Sequence, residues 1–176
     1  MIRPSWSLAQ SNAQRLGGNL ASVEDESENV FLYENFVATQ GDYASNLGNH
    51  VWIGGSDSLL EGNWNWSDNT EWGYSNWAIG EPNNSSVHWV EEKGEDYAAF
   101  QHDGNGKWID VRDNYYLEQI NGSSINGIAE IPFVRRGDSA YTIVQGPTWE
   151  HAQANAQSLG GHLVVIDDEQ ENQWLT

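Results

Sequence analysis

The 176-residue chain contains no cysteine. Disulfides, thiolate zinc sites and cysteine nucleophiles are therefore excluded. Basic residues are scarce: 7 Lys+Arg stand against 26 Asp+Glu, a formal charge of -19. A surface of that sign repels phosphate, which argues against nucleic acid and anionic membranes as partners. It suits cations, or a salty medium that screens the self-repulsion, or it serves solubility alone. No apolar run approaches the ~20 residues of a membrane span. The opening "MIRPSW" also lacks the apolar segment of a signal peptide. The expected setting is a piece of a larger secreted or cell-surface protein. Ten tryptophans are many for this length. Most should be core, and some should line a binding surface.

A repeat organises the chain. "WSLAQSNAQRLGGNLASVEDESENVFL" from Trp6 returns as "WEHAQANAQSLGGHLVVIDDEQENQWL" from Trp149, 143 residues on, with 15 of 27 positions identical. That signals tandem domains, one nearly whole and the opening third of another. Trp6, Ala9, Ala13 and Leu16 fall at helical spacing. Gly17 and Gly18 stop that helix, and the acidic Asp25 and Glu26 suit the start of a second, which runs to about Phe36.

From residue 50 the pattern changes to short apolar runs. These are "HVWIGG", "NWNWSD", "DYAAFQ", "KWIDV" and "INGIAEIPF", separated by loops rich in Gly, Asn and Ser. Helices followed by short strands read as α+β. The strand "AYTIV" at 140–144 is expected to form a hairpin with "NGIAEI" and to fill an edge that the first domain lacks. The stretch from Gly80 to Phe100 holds five carboxylates in a turn-rich context, a concentration of hard oxygen ligands.

The order of motifs resembles the C-type lectin-like domain. The matching residues are "WSLAQSNAQRLGGNLASVEDESEN", "WIGGSD" at 52–57, "EGNWNWSD" at 61–68, "YSNWAIGEPNN" at 74–84, "GED" at 94–96 and "WID" at 108–110. The resemblance implies a C-type lectin-like fold over residues 5–133. A second, truncated repeat spans 139–176, its strand at 140–144 completing the first domain. Two disulfides are usual in that family. Alignment puts Ala13 with Ala129, and Tyr97 with Asp113, at their positions. A cysteine-free bacterial member of the fold is the implied origin.

The resemblance also implies calcium. Asp57, Glu61, Asn84, Glu95 and Asp96 match the positions that hold one ion, and calcium takes ~6–8 oxygen ligands of these kinds. Glu81, Asn83 and Asp110, with Glu95, match a second ion that also contacts sugar. The "EPN" at 81–83 is the form associated with mannose-, glucose- and fucose-type ligands, with Pro82 cis. Two sugar hydroxyls would accept from an amide and donate to a carboxylate. Ile109 departs from the family pattern, because an asparagine ligand normally stands there. Residues 85–93 read as an insertion, in which His88 and Trp89 form a sugar-stacking platform or anchor the loop. Trp52, Trp66, Trp77 and Trp108 are expected to be buried, Trp64 and Trp72 less so. His50 and His102 read as ordinary polar contacts.

Three functions follow. The first is a calcium-dependent lectin domain, non-catalytic, whose partner is a glycan or glycoprotein. The second is an adhesion module of the same fold that binds protein, with calcium only ordering the loops. The third is a glycosidase using Glu91, Glu92, Glu95 or Asp96 as acid and base. No nucleophile with its base accompanies those carboxylates, which weighs against it.

Overall fold

The computed structural model describes residues 5–39, 50–85, 94–101, 104–113 and 126–176. The elements are α1 (Trp6–Arg15), β1 (Asn19–Leu20), α2 (Glu26–Leu32), β2 (Val51–Ser56), β3 (Asn65–Trp66), β4 (Tyr97–Phe100), β5 (Trp108–Val111), β6 (Asn126–Gly127), β7 (Ala129–Glu130), β8 (Val134–Arg136), β9 (Ser139–Tyr141), α3 (Trp149–Ser158) and α4 (Glu169–Leu175). The chain divides into two units, residues 1–14 with 18–131, and residues 15–17 with 132–176.

In the first unit, α1 buries Ala9 and Ala13 of the predicted stripe, leaves Trp6 half-buried, and buries Gln10 as well. Gln10 is the polar member. Its Oε1 accepts from Leu20 N at 2.8 Å, so the helix and β1 are tied through one buried side chain. Gly18 is required by crowding, since a Cβ there would overlap the Glu130 carbonyl of β7. That approach lets β1 pair with β7, Leu20 opposite Ala129. α2 starts on a reciprocal cap. Asp25 accepts from Glu28 N at 2.9 Å, and the Glu28 carboxylate accepts from Glu24 N at 2.7 Å. The helix continues as a π-helical turn, Tyr33–Val37.

The main sheet runs β3-β2-β4-β5, with β6 also pairing to β2. β2 is buried from Val51 to Gly55, as a strand covered on both faces must be. The run "INGIAEI" is not one strand. It changes partner at Ile128, whose N donates to Trp52 O while its carbonyl accepts from Ala21 N. Residues on one side therefore join β2, and those on the other join β1.

Trp52 and Trp108 are fully buried and Trp66 nearly so. Trp77 is half-buried against the same core. Trp64 and Trp72 belong there as well. Trp64 is 9% exposed, and Trp72 stacks 4.2 Å from Trp66. "NWNWSD" contributes only Asn65–Trp66 as strand, so sheet pairing alone understates what these rings do.

The positions of the absent bridges are filled differently. Ala13 is simply buried. At the other, Asp113 accepts from Ser7 N at 2.8 Å and Ser7 Oγ at 2.9 Å, and Trp6 packs on Tyr97 at 4.7 Å. Asp113 thus caps the start of α1 from the turn after β5. Asp113→Ala should lower stability by about 1 kcal/mol, the usual cost of losing a cap, measurable by urea unfolding.

In the second unit, β8 and β9 form a two-residue hairpin with Arg136 opposite Ser139. Gly137 has φ +63°, the left-handed residue that such a turn wants at its first position. The hairpin expected between "NGIAEI" and residues 140–144 is therefore replaced by a tighter one inside the connection. β7 is already committed to β1. α3 and α4 stand 143 residues after α1 and α2, and Asp168 caps α4 through Glu171 N at 2.7 Å, as Asp25 does for α2.

Candidate metal centre

The acidic residues come from three loops and one strand. β5 brings Asp110, buried at 4% exposure. Its Oδ1 accepts from Asn83 N at 3.0 Å and its Oδ2 from Asn84 N at 2.7 Å, so one carboxylate holds the loop after Pro82. The Glu81–Pro82 peptide is cis, as the resemblance implies. Asn84 then reaches back, its Oδ1 accepting from Glu95 N at 2.8 Å, while the Glu95 carboxylate accepts from Ser85 N at 3.0 Å. The loop after β2 adds Asp57, 2% exposed, whose N donates to Asp96 O at 3.1 Å. Asp57 Oδ2 accepts from Gly62 N at 2.8 Å, but its buried Oδ1 has no hydrogen-bond partner.

Electrostatics report the same convergence. Burial pushes the Asp57 carboxyl above its ordinary range, and Asp110 adds to the push. Glu61 is raised by desolvation and then by Asp57, Asp96 and Asp110, against a hydrogen bond with Asn84. Glu95 is raised by burial and by Asp110, with Ser85 N and Arg112 opposing. Glu81 is pushed up to about 7, first by burial, then by its hydrogen bond and charge contact with Asp110. Hydrogen bonds tie Glu81, Asn83, Asn84, Glu95 and Asp110 together and Asp57 to Asp96, while charge repulsion couples Asp57 and Glu61 to Asp110.

The two expected ion sets differ in fit. The first has an orphaned buried oxygen on Asp57 and mutually repelling carboxylates, which a hard cation would satisfy. The second is closed on itself. Both Asp110 oxygens hold backbone N–H groups, Asn83 Nδ2 donates to the Glu81 carboxylate at 2.7 and 2.8 Å, and Ile109 offers no side-chain oxygen. Among the described residues no group of three acidic or histidine side chains stands as a ready-made metal cluster. Trp89, His88, Glu91, Glu92 and His102 lie outside the described residues. Arg112, the cation opposing the charge on Glu95, was missed in the sequence reading. Strand alternation was the available signal, since 110 and 112 share a face.

The raised carboxyls give a pH prediction. A group whose folded pKa exceeds its unfolded value stabilises fully below the unfolded value and loses that contribution as pH rises through the folded one. Without calcium, the melting temperature should therefore fall between pH 4.5 and about pH 7, through Glu81. Glu81→Gln should flatten that slope, as read by thermal melts in chelator.

The Lectin C-type domain family matches residues 2–120, more than half of the chain, and the chain belongs to it. Ladderlectin of Oncorhynchus mykiss is 39% identical over 95 residues, 50% of this chain and 47% of that protein. The cow C-type carbohydrate-recognition domain of CD23, solved in the presence of a GlcNAc2Man3 oligosaccharide, is 29% identical. It aligns with 71% of this chain and 77% of its own, at a TM-score of 0.51. A calcium-independent type II antifreeze protein is 27% identical over 63% of this chain and 72% of its own, at a TM-score of 0.50. These likenesses agree with the α+β fold. The chain spans about half the length of the ladderlectin it matches. The expected bacterial origin draws no support from trout and cow relatives. Members of the family are non-catalytic binding proteins, so the glycosidase alternative is set aside. No helix among the described residues is long and apolar enough to cross a membrane.

Proposed function

We propose that the chain is a calcium-dependent carbohydrate-binding module that works outside the cell or at its surface. The carrying observation is Asp57: a buried carboxylate with an unpartnered Oδ1, beside Glu61, Asp96 and Asp110. Asp57, Glu61, Asn84, Glu95 and Asp96 would hold the ion. A bound cation supplies the positive charge that fixes these loops. Glu81 and Asn83 then offer an acceptor and an amide donor to neighbouring sugar hydroxyls of the mannose, glucose or fucose type, with Glu95 and Asp110 behind them. Asn83 Nδ2 donates to the Glu81 carboxylate, so sugar has to displace that pair.

The second reading is a protein-binding adhesion module in which calcium only orders the loops. Ile109 and the closed Asp110 favour it, because they remove one oxygen and occupy two others of the sugar-contacting ion. A glycan array separates the two. Calcium-dependent, chelator-reversed binding to mannose-type glycans is the expected result. An empty array, with calcium still raising the melting temperature, would sustain the second reading instead.

A further inference from the structure

The two copies of the opening motif share their local structure and differ in what covers them. The helices of each occupy equivalent residues. The second copy repeats the internal tie as well: Leu163 N donates to Gln153 Oε1 at 3.0 Å, as Leu20 N does to Gln10 Oε1. Helix exit is also shared, at Gly17 with φ +86° and Gly160 with φ +80°. Burial is opposite. Ala21, Ser22 and Val23 are 3%, 3% and 0% exposed, whereas Val164, Val165 and Ile166 are 47%, 61% and 50% exposed. Leu32 is 7% exposed and its counterpart Leu175 36%.

The first copy shows what such a surface takes. Ala21 N donates to Ile128 O, and Ala21 O accepts from Gly54 N, so two strands flank it. Among the described residues, Val164 makes no backbone hydrogen bond on either side. Gly18 must be glycine because Glu130 of β7 crosses it. Gly161 stands at the equivalent place, has an ordinary φ, and a Cβ there would meet only Ala156 O at 3.7 Å. Its small size serves nothing inside the second unit. Among the described residues the hairpin of that unit meets α4 through Tyr141, edge-on to Trp174 at 4.9 Å.

We infer that residues 149–175 form a docking face for the strand half of a C-type lectin-like domain. A strand like β2 would lie beside Val164, and a strand like β7 would cross Gly161. The occupant is thus defined by chemistry: an apolar strand with paired glycines at the closest approach, and a second strand whose carbonyl sits over the helix exit. The interface it would make is the one already built around Leu20–Val23, with apolar side chains in the same register. The inference depends on neither calcium nor sugar.

The probe is this chain's own sheet, vacated by Gly18→Val, which forces the first motif off β7. If residues 149–175 fit such a sheet, the Gly18→Val chain still melts cooperatively, because the second motif takes the place. Adding Gly161→Val then abolishes that transition, while Gly161→Val alone leaves the wild-type melt unmoved. Identical melts for Gly18→Val and Gly18→Val/Gly161→Val, folded or unfolded, overturn the inference. A trap gives a second readout in this cysteine-free chain. Asn19 stands opposite Glu130, so His162→Cys with Glu130→Cys marks the equivalent pair. In the Gly18→Val background the disulfide should form at least tenfold faster than when Gly161→Val is added. Equal rates overturn the inference.

Discussion

Millimolar calcium is expected to raise the melting temperature of the wild-type chain by about 5–10 °C over its value in chelator, and Asp57→Asn is expected to abolish the rise. The size follows from linkage. A ligand at one hundred times its dissociation constant stabilises by ~2.7 kcal/mol, and a chain of this length gains roughly 2–4 °C per kcal/mol. The choice of residue follows from its surroundings. Asp57 is nearly inaccessible, its Oδ1 has no partner, and Asp110 raises its pKa further. In chelator the same substitution should be neutral or stabilising, because it removes a buried unpaired charge while its amide oxygen still accepts from Gly62 N. This crossing of sign, costly with calcium and harmless without it, is what a merely structural aspartate would not show. Scanning calorimetry of both proteins in both buffers reads it directly. An unmoved wild-type melt would end the calcium reading.

The antifreeze neighbour described as calcium-independent makes that measurement decisive, because fold membership leaves the ion open. What separates the two outcomes is local. Loops that converge through backbone donors on Asp110 are already positioned without an ion. Loops that converge through carboxylates on Asp57 and Glu61 are held against repulsion. This chain has both arrangements side by side. The first explains why the EPN turn is formed in the structure, and the second is where calcium, on the proposed reading, would have free energy to contribute.

Much of the scaffold was readable because its signals are local. The 3-4-3 spacing gave α1, the acidic Asp25 and Glu26 gave the start of α2, and the 143-residue offset carried both to α3 and α4. The candidate site loops stood out because hard oxygen donors cluster in their sequence. The rest depended on partners far along the chain. Nothing within "INGIAEI" says that Ile128 N and Ile128 O serve different neighbours. Nothing in "WID" says that Asp110 will accept two backbone N–H groups, because those donors belong to Asn83 and Asn84. Trp64 and Trp72 looked peripheral since their segments hardly pair as strands, yet ring packing recruits them. The hairpin was misplaced for the opposite reason: Gly137 is a strong local turn signal inside the connection between the two segments expected to pair.

Trp108→Ala should cost about 3–5 kcal/mol, the range for removing a large buried aromatic, and so consume a large part of the ~5–15 kcal/mol typical of a domain. Trp108 is fully buried and meets Trp66, Trp72, Tyr74, Trp77 and Phe100 edge-on, with centroids 5.7–6.3 Å apart. Its indole Nε1 donates to Asn29 Oδ1 at 2.8 Å, and Asn29 Nδ2 donates to Gly106 O at 3.1 Å. One side chain therefore fastens α2, the aromatic layer and the turn before β5. Trp108→Phe separates the parts. It keeps most of the packing but leaves a buried Asn29 oxygen unsatisfied, a loss of roughly 1–3 kcal/mol. Asp110 lies two residues along the same strand, and Trp108 O accepts from Ala78 N at the start of the EPN loop. Loosening the ring should therefore weaken calcium uptake before the domain unfolds. Urea unfolding with and without calcium would show it: Trp108→Phe should lose more midpoint in calcium than in chelator, and equal losses would mean that the aromatic layer and the acidic loops are energetically separate.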